Sequence, residues 1–149
     1  MNWIEHKVPP FCERLIGFSV PQNDQVLVVS YEGMHFIQLG ARITVESDEG
    51  FAEYDLYDPR SGICCYRDLE WTIIGLDPGR PLLSGQDGEQ LRLDTKAETL
   101  SVIKDGCEQW KYRYENFSGD WAAATFSPDG RFIVLGCPYD FDFRVFGKG

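Results

Sequence analysis

An all-β fold is what this sequence predicts, on three observations. No 11-residue window carries a helical apolar stripe, short runs of β-branched and aromatic residues recur along the chain, and Gly, Pro, Asp and Asn bound those runs. The 149 residues, 43% hydrophobic and 14% aromatic with 15 Gly and 8 Pro, suffice for one domain, 1–149, with a substantial core.

Taken in order, residues 25–30 are continuously apolar from Val26 to Val29, the form of a strand buried on both faces. Residues 34–39 follow the Tyr31-Glu32-Gly33 turn, so the two runs predict a hairpin. Residues 52–57 lead into Asp58-Pro59-Arg60-Ser61-Gly62, a turn signal, and residues 63–66 return as a second hairpin. Residues 71–74, 81–84, 90–93 and 99–103 are four further strands, separated by Asp77-Pro78-Gly79, Asp87-Gly88 and a polar link at 95–98, and predict a four-strand meander. In residues 107–115, Trp110, Tyr112 and Tyr114 alternate with Lys111 and Arg113 at period two, which is strand rather than helix.

The last third, Phe126-Ser127-Pro128-Asp129-Gly130-Arg131, an apolar strand to Gly136-Cys137 and then Asp142-Phe143-Arg144-Val145-Phe146, resembles a WD-type β-propeller blade. It departs from that pattern in lacking the Trp-Asp and Gly-His dipeptides and in carrying Phe146 where Trp is usual. The first two strands of the template recur at residues 15–30 and 73–85, with turn prolines at 21, 78 and 128. Those intervals are close to the ~40–50-residue period of propeller blades. The resemblance implies about three blade-like units, 13–67, 71–114 and 119–146, in an open arc or half-propeller; a β-sandwich or barrel is the alternative. Three units leave exposed sheet edges, and the last lacks an outer strand. Either the N-terminal segment supplies that strand, or a second copy covers the edges as a homodimer.

Charge excludes some functions. Twenty-four Asp and Glu against 14 Lys and Arg give −10, which repels a phosphate backbone, so no direct nucleic-acid partner is expected. The segment Met1 to Lys7 mixes acid and base where a signal peptide needs a basic stretch and an apolar run, and no apolar window approaches a membrane span. No membrane partner and a cytoplasmic location follow as expectations. The cysteines at 12, 64, 65, 107 and 137 are odd in number and lack C-x-x-C spacing, so they are read as small buried hydrophobes, with no metal. Cys64 and Cys65 point to opposite faces of their strand. No phosphate-cradling loop, G-x-S-x-G or complete calcium loop occurs, so neither a cofactor nor an enzyme is expected. Lys104, Lys111 and Arg113, near Trp110 and Tyr112, are assigned to intramolecular or homotypic pairs rather than to a nucleic-acid groove.

The candidate binding residues are acidic and aromatic. Glu46, Asp48, Glu49, Glu53, Asp55 and Asp58 occur without a Lys or Arg among them and are interleaved with Phe51, Tyr54 and Tyr57; a second group is Tyr139, Asp140, Phe141 and Asp142. Carboxylates give steering and register and aromatics give buried anchors, so the pattern points to a non-enzymatic module for a basic protein. An ordinary solvated face is the other reading. In size, acidity and lack of catalytic motifs the chain resembles bacterial toxin-immunity proteins, which implies occlusion of a nuclease or deaminase groove. The alternatives are a structural or self-assembling role through sheet edges, or an enzyme whose dispersed site leaves no local motif.

Overall fold

The computed structural model of the chain describes residues 3–11, 14–48, 57–58, 60–75, 79–116, 121–138 and 143–149. These are all-β. The strands are β1 (Trp3–His6), β2 (Leu15–Ser19), β3 (Gln25–Ser30), β4 (Gly33–Gln38), β5 (Thr44–Asp48), β6 (Tyr57–Asp58), β7 (Ile63–Tyr66), β8 (Leu69–Gly75), β9 (Gln90–Asp94), β10 (Thr99–Lys104), β11 (Cys107–Arg113), β12 (Ala123–Phe126), β13 (Phe132–Gly136) and β14 (Phe143–Lys148). They form three antiparallel sheets, ordered β5-β4-β3-β2-β8-β7-β6, β1-β14-β13-β12 and β11-β10-β9.

The sheets stack in three layers with the four-stranded one in the middle. In β13, Phe132 and Val134 face Val26, Val28 and Ile74 of the seven-stranded sheet, while Ile133 and Leu135 face Leu91, Leu100 and Val102 of the three-stranded sheet. Period-two alternation in a strand apolar at every position lets one strand serve two cores. A third core lies inside the curl of the seven-stranded sheet, where Trp71, fully buried, meets Phe36 edge-on with ring centroids 5.6 Å apart. The stacking is that of neighbouring blades and equally of a multilayer sandwich, and the curl is that of a partial barrel.

Of the two routes to an outer strand for the last unit, the chain takes the first: β1 pairs antiparallel with β14, Trp3 opposite Lys148 and His6 opposite Val145. Residues 71–103 depart from the expected meander. The strand that opens the second unit, β8, pairs with β2 of the first, Gly17 opposite Gly75. A Cβ on Gly17 would lie 2.6 Å from the Ile74 carbonyl oxygen, so this approach needs glycine. Residues 81–84 are a connector rather than a ladder strand: Leu82 takes Thr125 Oγ1 and Phe126 N on one side, and the Leu83 carbonyl accepts from Leu91 N on the other. Pro81 has no N–H to give a ladder, and the connector fills the gap between β9 and β12. β5 lies where no strand was expected, and β1 is the strand that only one of the two alternatives foresaw; both are short and carry exposed charge. The cysteines divide: Cys64 and Cys137 are buried, Cys65 and Cys107 exposed, so burial does not hold for the latter pair.

Candidate binding surface

The Ser127-Pro128-Asp129-Gly130 turn shows how the sequence builds one end of the stack. The Ser127 hydroxyl donates to Asp129 and accepts from Phe132 N, Gly130 N donates to the Ser127 carbonyl, and Gly130 adopts φ +74. Burial opposes ionisation of Asp129, yet hydrogen bonds from Ser127 and from the Arg131 side chain and backbone outweigh it and hold the carboxyl below its usual range. Arg131 also reaches Asp24 at 2.8 Å, tying this turn to the β2–β3 turn of the seven-stranded sheet. Lys148 binds Glu89 at 2.7 Å with both side chains largely buried, tying the middle layer to the three-stranded sheet. Asp24, Asp129 and Arg131, and Glu89 and Lys148, are therefore spent on one another.

The opposite end is different. Leu15 N donates to the Pro138 carbonyl, Ala123 stands opposite Gly136, and Gly75 stands opposite Gly17 and against the Trp121 ring. Tyr31 N donates to the Arg14 carbonyl, the Arg14 guanidinium lies 4.3 Å from the Tyr31 ring centre, and Met34 stands opposite Asp48. Thus the start of β2 and the ends of β5, β8 and β13, together with the entry to β12, converge at one end of the stack. The segments that leave or enter there, 12–13, 49–56, 76–78, 117–120 and 139–142, hold Glu13, Glu49, Glu53, Asp55, Asp77, Asp120, Asp140 and Asp142 and no Lys or Arg. All 14 basic residues lie outside those segments, although Arg14 stands at this same end.

Of the candidate residues, Glu46 and Asp48 prove to be structural ties. Glu46 accepts from Arg67 at 2.7 Å, and Asp48 accepts from the Tyr66 hydroxyl at 2.8 Å, so together they hold the β7–β8 turn onto β5 and close the curl. Burial first, and then the bond to Asp48, push the Tyr66 phenol above its ordinary value. Asp58 accepts from Arg60 N at 3.0 Å and caps the turn after β6. Tyr57 pairs with Cys64 through its backbone. Glu49, Glu53, Tyr54, Asp55, Tyr139, Asp140, Phe141 and Asp142 lie outside the described residues.

Sequence reasoning missed a network at this end that runs from buried Ser30 and His35 to Ser47 at the surface. The Ser30 hydroxyl donates to the Gly33 carbonyl, so its oxygen accepts from His35 Nε2–H at 2.9 Å; Nδ1 is then the acceptor for the Ser47 hydroxyl, also at 2.9 Å. Phe11 covers the imidazole at 4.9 Å between ring centres. The network fixes β5 to β4 beside the point where residue 49 departs. Of the basic group Lys104, Lys111 and Arg113, Lys111 lies 3.4 Å from Glu108 on its own strand. No helix among the described residues is long and apolar enough to cross a membrane. Compared with known proteins, the chain matches no family model, no curated protein and no solved structure.

Proposed function

We propose that the acidic loop-bearing end of the stack is a recognition surface for a basic protein, and that the chain acts without catalysis as an inhibitor of the immunity type. The observation that carries this is the charge division: the segments attached at this end hold eight acids and no base, whereas Asp24, Asp129 and Glu89 at the opposite end are held by Arg131 and Lys148. Loops on a rigid scaffold are the usual seat of binding, and carboxylates attract and orient a cationic partner. In the occlusion this implies, Glu49, Glu53, Asp55, Asp140 and Asp142 take the places of phosphates in a nuclease or deaminase groove, and Tyr54, Tyr139 and Phe141 fill apolar recesses. Association is then fast and salt-sensitive.

The test is capture of a basic protein by the tagged chain at low salt, followed by kinetics with the combined Glu49→Lys, Glu53→Lys and Asp55→Lys variant. Asp58 is left intact because it caps a turn. Association should slow by about tenfold or more and lose most of its salt dependence. Unchanged kinetics would remove the acidic end from the mechanism. One observation favours a second reading, self-association: among the described residues, seven-residue β11 pairs with β10 alone and presents its other edge. Light scattering separates the two, since a monomer at high concentration eliminates the assembly role.

A further inference from the structure

Lys7-Val8-Pro9-Pro10 crosses from the end of β1, on the middle sheet, toward the β4–β5 connection of the seven-stranded sheet. Clefts of about 560 Å³ open on both sides of it. Lys7, Pro9, Pro10, Ala41, Arg42 and Ile43 line one. The other shares Lys7 and Pro10 and adds His6, Phe143 and the Arg144–Glu5 ion pair at 2.9 Å. The first is unlike the rest of this acidic molecule, having two cations, an apolar wall and no carboxylate in its lining. Neither Lys7 nor Arg42 takes part in an ion pair among the described residues. The carboxylates closest along these elements are engaged elsewhere, Glu5 by Arg144 and Glu46 by Arg67. The two prolines restrict the strap backbone, and Val8 packs on the core beneath, so the cleft is formed before any ligand arrives.

We propose that this cleft binds a small organic anion, its carboxylate or phosphate monoester held by Lys7 and Arg42 and its flat apolar body lying on Pro9, Pro10 and Ile43. A lysine offers a point charge and an arginine a planar fork, a pair suited to an acidic group of either kind. The volume falls in the range of small-molecule sites, although the open shape and exposed cations place the affinity of a simple ligand at millimolar order. The site is distinct from the acidic end in residues and in sign, and stands whether or not that end binds a protein.

The experiment is an amide chemical-shift titration of the intact chain with phenyl phosphate, benzoate, benzyl alcohol and inorganic phosphate. Phenyl phosphate and benzoate should give saturable shifts at Val8, Ala41, Arg42 and Ile43. Benzyl alcohol and inorganic phosphate should each bind about tenfold more weakly, lacking the charge or the ring. The combined Lys7→Ala and Arg42→Ala variant, altered only at exposed side chains, should lose about tenfold in affinity, while Lys104→Ala should change nothing. Equal binding of benzyl alcohol would overturn the anion requirement, and equal binding of inorganic phosphate the apolar one. Absence of saturation, or shifts spread evenly over Lys96, Lys104 and Lys111, would overturn the site itself.

Discussion

Trp3→Ala tests whether β1 completes the middle sheet. Trp3 is 6% exposed and packs on Phe126 at 5.9 Å and Trp110 at 6.5 Å, with Lys148 Nζ 5.7 Å from its ring centre. It is thus the anchor by which a four-residue strand reaches the core between the middle and three-stranded sheets. Truncating a buried Trp costs about 3–5 kcal/mol through lost burial and the cavity left behind. Against a total stability of roughly 7–22 kcal/mol for a chain of this length, that is a large fraction. With a urea slope of about 1–3 kcal/mol per molar, the unfolding midpoint should fall by roughly 1–5 M. Circular dichroism is the readout, because the substitution removes a fluorophore. Ile4→Ala on the same strand, 56% exposed, should change stability by less than about 0.5 kcal/mol. A loss below about 1 kcal/mol for Trp3→Ala, or equal losses for both variants, would refute the placement of β1.

Three further outcomes follow from the same contacts. Gly17→Ala should destabilise by about 2 kcal/mol or more, because the new Cβ meets the Ile74 carbonyl oxygen at 2.6 Å; Gly88→Ala, with nothing within 4 Å but φ +79, should cost only about 1 kcal/mol in urea unfolding. Lys148→Met should cost about 3–5 kcal/mol by stranding the Glu89 carboxylate, which is 2% exposed, and adding Glu89→Gln should recover much of it in a double-mutant cycle. Alkylation mapped by mass spectrometry near pH 8 should label Cys65 and Cys107 quickly and spare Cys64, whose thiol burial first, and then the neighbouring Cys65, push up to about 12. Because that value lies above the thiol's ordinary 9.0, Cys64 contributes stability that is present below pH 9 and is lost as pH rises toward about 12; Cys64→Ala should flatten that alkaline limb.

Legibility in the sequence tracked how local the cause of each element is. The run from Val26 to Val29 announces a strand buried on both faces, and β3 has that burial. The Pro128-Asp129-Gly130 turn is equally local, since its bonds close within five residues. By contrast β1 and β5 place Glu5, Glu46 and Asp48 in strands of four and five residues, and a short charged strand leaves little apolar pattern to see. The pairing of β8 with β2 joins residues 58 apart at Gly17 and Gly75, and no window reveals that two glycines remove their side chains from one crossing. The same limit governs the site. The acidic excess is plain in composition, but the partners of Glu46 and Asp48 lie 21 and 18 residues away, on a hairpin that only the curl brings back.

That tertiary division of charge also bears on why the acids are arranged as they are. An acidic residue answered by a base, as Glu89 is by Lys148 or Asp24 by Arg131, serves the scaffold and offers little to a partner, since its field is already cancelled at short range. The eight acids of segments 12–13, 49–56, 76–78, 117–120 and 139–142 have no base within those segments. On the proposed reading they are the charges left for a partner, and salt, which screens exposed charges beyond about 8 Å at physiological ionic strength, weakens the complex while leaving the largely buried Lys148–Glu89 tie of the scaffold in place.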